Sequence, residues 1–133
     1  MNSLPGKIVG VKSQDQLSVV EIGVGEYLLK AVVLETPSTA DYLADQQSIR
    51  VLFKETEVVI GLPDCANQVS LQNQLPGTIS AIKQGKLLSE LTLETKVGVV
   101  VSIISAASVD RLNLEVGTEV LALIKTNEIM LAS

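Results

Sequence analysis

At 133 residues the chain has room for one domain or two small ones, and either is long enough to bury a core. Hydrophobic residues make up 47% of it, yet only Tyr27, Tyr42 and Phe53 are aromatic, so Val, Leu and Ile must build that core and strands are favoured. A net charge of −5 without a basic cluster argues against nucleic acid and bulky polyanions. It leaves open a small oxyanion, because local hydroxyls, amides and one or two cations can outweigh the global charge.

The opening Leu4-Pro5-Gly6 reads as a turn running into a strand over Lys7–Lys12. A polar break precedes a second strand over Leu17–Ile22. Gly23-Val24-Gly25-Glu26 then makes a hairpin turn into a third strand, Tyr27–Leu34. Thr36-Pro37 has the form of a helix N-cap followed by proline at the first helical position, which predicts a short helix from Ser38 to about Ala44. Strands over Ile49–Lys54 and Glu57–Ile60 complete the unit. A turn-rich connector, GLPDCANQVSLQ, follows.

The same order then recurs. At a constant offset of 71 the halves share Asn2/Asn73, Leu4/Leu75, Pro5/Pro76, Gly6/Gly77, Ile8/Ile79, Lys12/Lys83 and Lys54/Lys125, and many remaining pairs exchange one aliphatic for another. Shared register over a whole unit signals duplication. Five short strands with a helix between the third and fourth predict an all-β chain of two tandem OB-like, five-stranded Greek-key barrels, with one short helix in each. The expected division is a first barrel over 1–61, a linker over 62–72 and a second barrel over 73–133. Units this small need packing between units or between chains.

The chemistry such a chain can host is narrow. There is no histidine, so the commonest general base and metal ligand is missing, and with it any Ser/His/Asp or Cys/His arrangement. Cys65 has no partner thiol, which removes a disulfide framework and suits a reducing compartment. Neither GxxxxGK[ST] nor GxGxxG occurs, and the carboxylates are scattered. The amino-terminal residues lack the form of a signal peptide, and the longest apolar run, Val97–Ile104, is too short to span a membrane. A cytoplasmic protein without catalytic activity is expected.

In the second half a β-rich run ends at Ser105 and a helical pattern follows from Ala106 to Leu112. Ser105 stands at the N-cap and Ser108 three residues on, where a capping partner stands. Two readings are open: the serines merely cap, or they and the exposed helix N–H groups cradle an anion with Lys125 at the end of the next strand. Lys125 has its own alternative, protection of a strand edge.

The second half resembles a Mop domain, the molybdenum-binding branch of the TOBE domains. The family opening S-A-R-N-Q-L-x-G is matched by Ser70-Leu71-Gln72-Asn73-Gln74-Leu75-Pro76-Gly77. Its helix region is matched by Ile104 to Val109 and Gly117 to Val120, and its ending by Ala122 to Thr126 and Ile129 to Leu131. The first half resembles the family through the repeat. The resemblance implies a tandem pair that binds, stores or senses molybdate, with tungstate as competitor, in a homo-oligomer whose sites lie between units or subunits. It implies ligand contacts from Ser70, Gln72, Asn73, Ser105, Ala106, Ser108, Lys125 and Thr126, with Lys54 as the first-half lysine. The alternatives are the sensing domain of a regulator or importer ATPase, and an assembly module that has lost the ligand. Gln72 replaces the family's arginine, and Leu34 and Pro37 stand where the second half has Ser105 and Ser108. In the first half, hydroxyls would come from Thr36 or Ser38.

Overall fold

Alternation decides the strands. In the computed structural model, which describes residues 1–133, β1 (Asn2–Gln14) turns Asn2, Leu4 and Ile8 inward, and β2 (Leu17–Val24) buries Ser18, Val20, Ile22 and Val24 on every second position. β3 (Tyr27–Val33) and β4 (Ser48–Phe53) follow, then a 3-10 turn over Glu55–Glu57 and β5 (Val59–Gly61). After a second 3-10 turn at Pro63–Cys65 the order repeats as β6 (Asn73–Gln84), β7 (Leu88–Thr95) and β8 (Gly98–Ser105). The helix α1 (Ala106–Arg111), β9 (Glu119–Ile124), a 3-10 turn at Thr126–Glu128 and β10 (Met130–Ala132) complete it. The chain is all-β with little helix, in two five-stranded sheets. No helix is long and apolar enough to cross a membrane.

Each sheet takes its fifth strand from the other half. The orders are β10-β4-β1-β2-β3 and β5-β9-β6-β7-β8, every pairing being antiparallel. Met130–Ala132 pairs with Leu52–Arg50, and Val59–Gly61 with Leu123–Leu121. The boundary between Gly61 and Asn73 therefore separates the repeats but not the sheets. One contiguous apolar cluster runs through both halves, from Leu4, Ile22 and Phe53 to Leu75, Leu93 and Ile124.

Two asparagines tie the halves reciprocally. Asn2 Nδ2 donates to Val101 O at 2.8 Å while its Oδ1 accepts from Val101 N–H at 2.8 Å. At the same offset Asn73 does this to Lys30, at 2.8 and 2.7 Å. A side-chain amide thus replaces a neighbouring strand at a point where buried backbone would otherwise lack partners.

Two expectations are corrected. Leu4-Pro5-Gly6 is extended strand, not a turn. β1 pairs with β4 from Asn2 onward but meets β2 only from Lys7, so the missing N–H of Pro5 leaves no bond unmade on that side. Pro76 repeats the arrangement, with β6 meeting β7 from Gly77. The helix expected over Ser38–Ala44 does not form, so only the second half carries one. Residues 36–47 are a series of turns, in which Thr36 O accepts from the N–H groups of Thr39 and Ala40, each at 2.9 Å. Thr39 Oγ1 both accepts from Thr36 N–H and donates to Thr36 O. Hydroxyls that bond the backbone locally compete with helix, and a segment this short has no cooperativity to resist them. The positions matching Thr36, Ser38 and Thr39 hold Ala107, Val109 and Asp110, none with a hydroxyl, and that helix is entered through the Ser105 cap.

Candidate functional site

The sequence around α1 builds a small cluster of hydroxyls. Ser105, extended at φ −66° and ψ 145°, caps the helix by accepting from Ser108 N–H, at 3.1 Å, and its hydroxyl donates to Ser108 Oγ at 2.8 Å. Ala106 N–H is spent on Leu87 O at 2.8 Å. Ser105 is exposed, Ala106 and Ser108 are half-buried, and the first turn carries no acidic residue. Capping is thus established for Ser105. The Ser105 O–H is spent on Ser108, whose own hydroxyl hydrogen remains free to donate.

A second cluster lies at the other end of β6. Asn73 opens that strand opposite Ile124, which places Gln72 beside Lys125 and Thr126. Gln72, Ser70 and Lys125 are exposed, and Thr126 is half-buried. Ser105, by contrast, pairs with Leu88, just past the hairpin where Gln84 ends β6. The structure therefore brings Ser105, Ala106 and Ser108 together, and Gln72, Asn73, Lys125 and Thr126 together, but does not join the two groups within one chain. Asn73 presents nothing outward: it is fully buried and its amide is committed to Lys30.

Strand exchange also redistributes the lysines. The 3-10 turn capped by Lys54 packs on β8, and Ser102 Oγ donates to Val58 O at 2.8 Å, three residues before Ser105. The corresponding turn capped by Lys125 packs on β3 of the first half. Of the two lysines, Lys54 thus adjoins the turn that packs on the strand leading into α1. Neither takes part in the chain's ion pairs, which join the Met1 amine to Glu55 and Lys96 to Glu26.

Lys86 lies in no local motif that would single it out. It is exposed and directly precedes Leu87, whose carbonyl accepts from Ala106 N–H. The repeat itself carried the signal, because the first-half counterpart at the offset of 71 is Asp15. The largest concavity, about 680 Å³, lies elsewhere, along Lys7, Gly23, Gly25 and Arg50, and contains none of the predicted residues. No group of three or more Cys, Asp or Glu side chains is arranged to hold a metal cation.

Comparison with known proteins agrees with this architecture. The TOBE domain model matches residues 70–131. Molybdenum-pterin-binding protein 3 of Clostridium pasteurianum is 41% identical over 64 residues, 47% of this chain and 94% of that protein. Molybdenum-pterin-binding protein 1 of the same organism is 38% identical over the same shares. Among solved structures, the cytoplasmic molybdate-binding protein ModG, determined with molybdate bound, superposes with a TM-score of 0.89 at 27% identity, over 98% of this chain and 94% of its own. With a molybdenum-pterin-binding relative 41% identical over 94% of its length, the TOBE match and the internal repeat, the chain belongs to the Mop branch of the TOBE family, as a tandem pair.

Proposed function

We propose that this protein binds molybdate reversibly in the cytoplasm, storing or sensing the oxyanion without transforming it. The observation that carries the reading is the whole-chain likeness, at 27% identity, to a tandem protein solved with molybdate bound. The chemistry of the candidate residues supports it. A tetrahedral dianion needs several hydrogen-bond donors and no carboxylate in contact, and hydrogen bonds to a charged partner are the strong ones, each about 1.5–3 kcal/mol. The Ser105–Ser108 pair offers a hydroxyl donor, and Ala106 stands between the two on the cap. Ser70, Gln72, Lys125 and Thr126 offer the second set, with Lys54 beside the turn that packs on β8.

Because the two sets lie at opposite ends of β6, the complete site is proposed to form where copies of the chain meet, the helix start of one facing the lysine cluster of another. A homo-oligomer follows from that reading. Asn73 keeps a supporting role, fixing β6 to β3 so that Gln72 and Lys125 are positioned. Tungstate, of the same shape and charge, is expected to compete.

Isothermal titration of the purified chain with sodium molybdate tests the reading. Saturable binding, displaced by tungstate and poorly by the smaller sulfate, is expected, and Lys125→Ala should weaken it about tenfold or more. Absence of heat and of any thermal shift at millimolar molybdate would overturn it. Unchanged affinity in Lys125→Ala would return that residue to edge protection.

A further inference from the structure

Duplication supplies an internal comparison. At the place in the first half that corresponds to the α1 start, the chain forms a concavity of about 450 Å³ lined by Asp15, Gln16, Leu34, Glu35, Thr36, Ser38 and Thr39. The offset of 71 equates Asp15 with Lys86, Leu34 with Ser105 and Glu35 with Ala106. A cation has become a carboxylate, a capping hydroxyl an 81% exposed leucine, and a neutral methyl a second carboxylate.

The remaining donors there are turned on one another. Thr36 Oγ1 and Ser38 Oγ share a hydrogen bond at 2.8 Å, and Thr39 Oγ1 is engaged by both the N–H and the carbonyl of Thr36. Glu35 is fixed at this rim by the half-buried Tyr42, whose hydroxyl donates to Glu35 Oε1. Burial, then the bond to Glu35, pushes the Tyr42 phenol up to about 12, so the donor stays protonated at any ordinary pH. Two carboxylates within a few ångströms repel a dianion even through water, and more strongly in a partly desolvated concavity.

Resting on the functional reading above, we propose that the halves are specialised: Asp15 and Glu35 exclude oxyanions from the first-half concavity, while the second half, with Lys86 and Ala106 in their places, admits them. The first half keeps its architectural part, supplying β5 and the Lys54 turn to its partner. Positions 15 and 86 thus carry opposite charge at corresponding hairpins, Asp15 in a left-handed turn at φ 57° and Lys86 in a wider loop.

Molybdenum bound per chain at saturation, measured by equilibrium dialysis with elemental analysis, tests this on three proteins. The unmodified chain should take up molybdate at the second half only. Asp15→Lys/Leu34→Ser/Glu35→Ala, which grafts the second-half residues onto the first, should bind one further molybdate per chain. Lys86→Gln, an exposed change that leaves the fold in place even if the graft unfolds, should weaken binding by about tenfold. Uptake in the unmodified chain equal to that of the graft, or unaltered affinity in Lys86→Gln, would overturn the assignment. No uptake by the unmodified chain would instead strike the functional reading, and the selector with it.

Discussion

At the scale of single residues the repeat separates side chains that merely fit from those that bear a cost. Ser18 and Ser89 are both fully buried, but Ser18 Oγ shares a 2.7 Å hydrogen bond with Ser13, whereas Gln84 stands at the matching position and Ser89 Oγ has no partner. A buried hydroxyl left unpaired costs about 1–3 kcal/mol. Ser89→Ala is therefore expected to raise stability by about 1 kcal/mol and Ser18→Ala to lower it, read from urea midpoints. Equal destabilisation by both would show that Ser89 has found a partner in solution. The paired serines were visible in the sequence, but their unequal satisfaction was not, because it depends on what stands five residues before each one across the hairpin.

At the scale of elements, the turn before β4 and the one before β9 solve one problem with different residues. Both close onto the residue before a bulge. Gly117 N–H donates to Ile79 O at 2.8 Å, and Gln46 N–H to Ile8 O at 2.7 Å, the register of each long strand shifting just beyond. Both positions are left-handed, Gly117 at φ 96° and Gln46 at φ 64°. Only glycine adopts that region without cost, which for other residues is about 1–2 kcal/mol. Gln46→Gly should raise the melting midpoint by several degrees, and Gly117→Ala, where a Cβ meets nothing within 4 Å, should lower it through conformation alone. An unchanged midpoint in both would remove the strain argument. A turn at Gly117 is legible from the glycine itself. The one at Gln46 is not, since its conformation is imposed by strand pairing rather than by its own preference. The absent first-half helix has the same lesson: Thr36-Pro37 has the form of a start signal, but Ser38 and Thr39 divert the backbone into turns.

At the scale of the molecule, the duplicated order of strands was plain from the fixed offset of 71, and the OB-like sheets followed from it. What the sequence hid was partnership at a distance. Nothing local states that Val59–Gly61 pairs with β9 and Met130–Ala132 with β4, or that Asn2 and Asn73 each clamp the opposite half. The candidate site shared this limit. The Ser105–Ser108 contact was legible as a cap, but its separation from Lys125 along β6 was not, and that separation is the reason for proposing a site between copies. The most direct test is anomalous diffraction from a crystal of the full chain soaked in tungstate. The account predicts strong peaks beside Ser105 and Ser108 where one copy meets the next, with nothing at Asp15 and Glu35. Peaks confined to the first-half concavity, or none near Ser105 and Ser108, would contradict it.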